Sequence, residues 1–183
     1  MKNLTFLFFY AKIKKMMNEE KTMAIVVKNI KDEDFLQYKE PSMFVGFSRC
    51  NFKCGLTLCQ NSELARAPDI EIAAEEICNR YGRNPITKAI VLGGLDPFDT
   101  PTQCLELCGI FRERFSDKIV IYTGYTEKEI KEDEKLNWLH SNLISLHNVI
   151  IKYGRYIPGQ LAHYDEILGI KLANDEQYAR YWQ

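Results

Sequence analysis

Cys50, Cys54 and Cys59 stand in one short stretch with the spacing Cys-x3-Cys-x4-Cys. Cysteine ligates metal as the thiolate, and three thiolates in one loop can wrap one side of a metal centre. Polar residues and a glycine interleave them at neither strand nor helix period, unlike the ordinary buried cysteines of a core. A 4Fe–4S cube held by three of them keeps one iron open to an exogenous ligand. A structural zinc site wants four closed ligands, so it would need a distant fourth residue such as His163. The spacing leaves both metals open, with the cube the better match to an incomplete set. Lys53 would favour the thiolate forms electrostatically. The remaining three of the six cysteines read as packing. Cys104 and Cys108 share a helix face with Leu107, Phe111 and Phe115, and Cys78 neighbours Ile77.

Other residues able to do chemistry lie just after apolar runs. Gly93-Gly94-Leu95-Asp96-Pro97 follows Ala89–Leu92, and Thr123-Gly124 follows Ile119–Tyr122. Asp and Pro are turn formers in their own right, yet a turn at a glycine-rich strand end is also where backbone can approach a ligand closely. Lys152 and Arg155, near the end of the run Val149–Ile151, would either steer a carboxylate or protein partner or serve as plain surface. No Ser–His pair or histidine base stands out. His140 and His147 flank a polar turn and read as solvent-facing, and the charges from Glu127 to Lys135 read as a solvated helix face.

The elements that must position these groups follow from periodicity. Ala24–Val27, Ser42–Phe47, Ala89–Leu92, Ile119–Tyr122 and Val149–Ile151 are short, continuous apolar runs, the mark of buried strands. Ile70, Ala73, Ala74, Ile77 and Tyr81 recur at helical spacing, predicting a helix over 70–81 that stops at Gly82. Asp99-Thr100-Pro101 opens another helix, and Thr126 with Glu129 predicts a capping box. Strands alternating with amphipathic helices specify an α/β fold with a mostly parallel sheet. In such sheets strand C-termini share one edge, where sites are built, so the cysteine loop and the glycine turns are expected to converge.

The chain has 183 residues, with 24 Lys plus Arg against 25 Asp plus Glu. A net charge of −1 carries no footprint for nucleic acid or an anionic membrane surface. The apolar run Leu4–Tyr10 is far shorter than the roughly 20 residues that span a bilayer, and no small-residue cleavage site follows it. Residues 1–22 are therefore expected to lie outside the fold, with Met16, Met17 and Met23 as alternative starts, and residues 23–183 to form one domain. That length is small for a closed barrel.

Taken together, the cysteine loop, Gly93-Gly94-Leu95-Asp96-Pro97, Ile121-Tyr122-Thr123-Gly124-Tyr125 and Leu168–Ala173 resemble the radical S-adenosylmethionine (radical SAM) proteins. Within that superfamily they are similar to the small activating proteins of anaerobic ribonucleoside-triphosphate reductase. Two motifs depart from the family pattern. The second cysteine interval is two residues longer, with Leu58 in the usual aromatic's place, and Leu95 is inserted in a Gly-Gly-Glu-Pro motif whose acid is here Asp96. The resemblance implies a partial, open (β/α) barrel with helices on its outer face. It implies a 4Fe–4S cluster on Cys50, Cys54 and Cys59, with S-adenosylmethionine chelating the fourth iron. Gly93, Gly94 and Asp96 would receive the methionyl ammonium, and Thr123 and Gly124 would lie beside the nucleoside. Reductive cleavage of the sulfonium would yield a 5′-deoxyadenosyl radical that takes hydrogen from a glycine of the reductase large subunit. A flavodoxin- or ferredoxin-like electron donor and a reducing cytoplasm are implied as well. The alternatives are a small radical SAM enzyme with another substrate and a non-catalytic iron–sulfur or zinc interaction module.

Overall fold

The computed structural model describes residues 24–183, so the N-terminal extension and its alternative starts lie outside the described residues. The strands are β1 (Ala24–Asp34), β2 (Ser42–Phe47), β3 (Ile70–Ala73), β4 (Ala89–Gly94), β5 (Lys118–Tyr122), β6 (Val149–Tyr153), β7 (His163–Asp165), β8 (Ile170–Leu172) and β9 (Tyr178–Trp182). The helices are α1 (Ser62–Arg66), α2 (Ala74–Arg83), α3 (Pro101–Arg114), α4 (Glu127–Glu132) and α5 (Glu134–Ile144). Seven strands form one sheet in the order β3-β1-β2-β4-β5-β6-β9, and β7 pairs with β8 in a separate hairpin. The centre, β2-β4-β5-β6, is parallel, whereas β1 pairs antiparallel with β2, β3 antiparallel with β1, and β9 antiparallel with β6. The α/β class stands, and the sheet is mixed.

Both faces of the central strands are covered, which is why they read as unbroken apolar runs. Ile90, Leu92, Ile119 and Ile121 face α2, α3 and α5 in the larger core. Their alternates Val91, Val120 and Ile150 pack on the opposite face beneath Leu168 and Leu172 from the β7–β8 hairpin. Cys78, Cys104 and Cys108 are buried in the larger core. No helix among the described residues is long and apolar enough to cross a membrane.

Three expectations change. Residues 70–81 divide into β3 and the first part of α2, because β1 presents an open edge and Ile70–Ala73 pair antiparallel along Val27–Ala24. Gly82 lies inside α2, against the Phe115 ring, and the helix runs on to Arg83. His140 is half-buried, with a ring nitrogen 2.8 Å from the Tyr153 hydroxyl and an edge-on contact with Trp182. The aromatic that covers it comes from β9, far along the chain. His147 is exposed as expected, at a φ of 57°. The capping box forms as predicted: Thr126 Oγ1 accepts from the Glu129 amide and the Glu129 carboxylate accepts from the Thr126 amide.

Candidate functional site

The parallel strands bring their C-terminal ends to one edge of the sheet, and a cavity of about 510 Å³ opens there. Cys50, Cys54 and Cys59 all line it, together with Gly94, Asp96, Thr123 and Gly124. Of the residues expected at the site, Gly93 alone does not. It is buried within β4, where a Cβ would stand 3.3 Å from the Phe44 ring and 3.4 Å from Tyr122. His163, the distant fourth ligand a zinc site would need, sits in β7 and does not line the cavity.

The cysteine loop leaves β2 and turns by means of two left-handed residues, Phe52 at φ 52° and Gly55 at φ 87°. A short 3₁₀ turn, Leu56–Leu58, then carries the chain to Cys59. The Phe52 amide donates to Cys50 Sγ at 3.3 Å. Side chains from other elements hold the loop in place. Asp99 accepts from the Asn51 amide at 2.8 Å and from the Tyr125 hydroxyl at 2.6 Å, and Asn51 Nδ2 donates to that hydroxyl. Asn61, which follows Cys59, donates to the Gly94 carbonyl. Asn51, Asn61, Asp99 and Tyr125 form this scaffold. The sequence marks none of them as loop anchors, because their pairings join segments that meet only in the fold.

Burial pushes the Cys50 thiol up to about 12, reinforced by the nearby Asp96 and Asp99 carboxylates and opposed by the Phe52 amide. Cys54 is raised by burial and by Cys59. Lys53, expected to favour the thiolate forms, pairs with other groups. Its ammonium stands 3.6 Å from Glu129 and 5.1 Å from the Tyr125 ring centroid. The Arg155 guanidinium is the cation that opposes the rise of the Cys54 thiol. Among the described residues no group of three His, Cys, Asp or Glu side chains is set to hold a metal ion. The three thiols do open onto one roomy cavity, and all three are free. An all-thiolate donor set short of four suits an iron–sulfur cube with one open iron. Asn29 Oδ1, buried at the cavity wall, has no hydrogen-bond partner among the described residues.

Asp96 is buried and ties two strand ends together. One carboxylate oxygen accepts from the Phe98 amide at 3.0 Å. The other accepts from Thr123 Oγ1 at 3.1 Å and from the Gly124 amide at 2.8 Å. Three of the expected site residues thus bond to one another. Burial raises the Asp96 carboxyl to about 6, against the lowering effect of these donors. Gly94 has a φ of 81°, and a Cβ there would come within 2.9 Å of Gly46 Cα. Glycine is required because the neighbouring strand passes at backbone contact.

Lys152 and Arg155 both line the cavity. Arg155 donates to both oxygens of Glu129, at 2.7 and 2.8 Å. Burial pushes the Glu129 carboxyl up, but Arg155 and the Thr126 amide outweigh it and hold the carboxyl down at about 2.

The model of one family, described as a 4Fe-4S single cluster domain, matches residues 41–166, from the start of β2 to the turn of the β7–β8 hairpin. No curated protein and no solved structure matches the chain.

Proposed function

We propose that this chain, which belongs to the 4Fe-4S single cluster domain family, is a radical S-adenosylmethionine activating enzyme that installs a glycyl radical on the large subunit of an anaerobic ribonucleoside-triphosphate reductase. One observation carries this reading. Three thiols, a buried carboxylate and two strand-end turns face a single cavity on the C-terminal edge of the parallel strands. Cys50, Cys54 and Cys59 would hold the cluster. Once bound, the cluster supplies an open iron for the amino-acid end of S-adenosylmethionine and the single electron that cleaves the sulfonium.

The chain's own residues position and shield. Gly94 lets the backbone approach the ligand without a side chain in the way, and its carbonyl is a suitable acceptor for a cation. Asp96 presents negative charge where the methionyl ammonium would lie, while holding Thr123 and Gly124 at the nucleoside side. The wall of the cavity formed by the β7–β8 hairpin, through Ile170 and Leu172, excludes water from one flank. The electron would come from a low-potential, flavodoxin- or ferredoxin-like donor, and the hydrogen from the reductase glycine.

The test is anaerobic reconstitution of the whole chain with iron and sulfide, followed by reduction and measurement of 5′-deoxyadenosine. Cys50→Ala, Cys54→Ala and Cys59→Ala should each abolish product and strip most of the iron. Adding the reductase subunit should produce a glycyl radical signal in electron paramagnetic resonance. Stoichiometric zinc with no deoxyadenosine would sink the reading. One observation favours a non-catalytic iron–sulfur module instead: both Asp96 oxygens already carry internal hydrogen bonds. Intact cluster loading with no binding of S-adenosylmethionine would support that second reading.

A further inference from the structure

Asn29 reaches the cavity because β1 breaks its own alternation. Ile25 and Val27 lie in the larger core, so a regular strand would send residue 29 the same way. The register with β2 shifts instead, from Val27 opposite Phe47 to Asn29 opposite Gly46 and Ile30 opposite Val45. The extra residue hands the core position to Ile30 and delivers Asn29, with Lys31, to the cavity face. Gly46 makes room for it, since a Cβ there would overlap Asn29 Oδ1.

That oxygen is buried and accepts nothing among the described residues. Buried polar atoms are ordinarily hydrogen-bonded, and several donors that line the same cavity are committed elsewhere. Lys31 stands 3.6 Å from Asp34, the Tyr122 hydroxyl donates to the Gln37 carbonyl, and Asn61 Nδ2 donates to the Gly94 carbonyl. The acceptor is also neutral. A cationic donor in this cavity is drawn to the Asp96 carboxylate instead, because charge-assisted hydrogen bonds are the stronger ones. Asn29 Oδ1 therefore suits an uncharged N–H.

We propose that Asn29 holds the backbone of the protein substrate: its Oδ1 accepts a hydrogen bond from a peptide N–H of the glycine-bearing segment that enters the cavity. The identity of that segment rests on the function proposed above. Glycine has no side chain to grip, so its peptide groups are what the site can orient. Hydrogen transfer needs the reacting atoms held close and aligned. A fixed acceptor over Gly46, whose backbone Gly94 touches, sets the register of the segment next to the strand-end turn.

Peptide binding to the reconstituted full chain tests this, measured anaerobically by fluorescence anisotropy with S-adenosylmethionine present. The probe is a short synthetic peptide centred on the reductase glycine, with a series in which single amides become esters and so lose one N–H each. Wild type should bind one ester about 3- to 10-fold more weakly than the parent peptide, the loss of one neutral hydrogen bond. Asn29→Leu should bind the parent more weakly by a similar factor and show no further loss with that ester. Asn29→Asp, which keeps an acceptor, should retain the ester penalty. Iron content and urea unfolding report that each variant is folded, and Asn29→Ala carries the same test where Asn29→Leu does not fold. Ester penalties that are the same in wild type and in the acceptor-free variants overturn the proposal and leave the proposed function standing. A wild type that binds no peptide overturns it too, and glycyl radical formation on the whole subunit then decides the proposed function separately. Peptide binding that depends on Asn29, in a protein that never forms 5′-deoxyadenosine, would keep this site and remove the proposed function.

Discussion

Glu129 joins two arrangements that the sequence presents separately. It closes the capping box of α4 and also receives Arg155 and Lys53, the latter from the cysteine loop. Its carboxyl is held below its unfolded value, so its stabilisation is present above about 4.5 and is lost as pH falls through about 2. Glu129→Gln should cost about 1–2 kcal/mol in urea unfolding at neutral pH, a figure reduced by partial solvent screening. The gap between variant and wild type should close as the titration is repeated from pH 4.5 toward 2. Asp96 carries the opposite sign. Its carboxyl is raised from 3.8 to about 6, so its own contribution to stability increases as pH falls across that interval. At this scale the thiols were legible, because their types and spacing are themselves the signal. The burial of Lys152 was not. Between Ile151 and Tyr153 it reads as a strand end, and its burial depends on what β5 and β9 place around it.

At the scale of the elements, the two glycines that end β4 differ in what they must do. Gly94 needs a left-handed backbone and touches the backbone of Gly46, whereas Gly93 meets only side chains at 3.3 Å and beyond. Gly94→Ala should therefore cost about 1–3 kcal/mol, and Gly93→Ala less, by urea unfolding of the two variants side by side. Equal effects would contradict the assignment. The elements themselves followed from periodicity wherever both faces of a strand were buried, as in β4 and β5. Periodicity misled at residues 70–81. Ile70 and Ile72 satisfy a two-residue alternation as well as Ile70, Ala73 and Ala74 satisfy a helical one, and the open edge of β1 chose the strand.

In the molecule as a whole, the sheet is covered by helices on one face and by the β7–β8 hairpin on the other. Asp165 fixes that hairpin. One oxygen accepts from the Leu168 amide at 2.8 Å and the other from the Ala179 amide at 2.9 Å, joining the hairpin to β9. Asp165→Ala should cost about 2–3 kcal/mol, because two buried amides lose their charged acceptor. Hydrogen exchange should then accelerate at Leu168 and Ala179 while the β4 and β5 amides stay protected. Uniform acceleration would show that the hairpin does not open as a separate unit. These three short strands escaped the sequence reading, since runs of three to five residues with mixed burial leave too little pattern to detect.

What the sequence by itself determined is local: three thiols in one loop, glycines at strand ends, and apolar runs whose period separates strand from helix. Such features depend on residues close along the chain, where backbone preference and side-chain period act. Only the tertiary structure decided that Asp96 binds Thr123 and Gly124, which lie 27 and 28 residues away. The tertiary structure also decided that antiparallel pairings close both margins of the sheet and that Lys152 is buried. Burial and charge compensation are properties of segments that meet only when the chain is folded, so the free energy that sets them has no local signature.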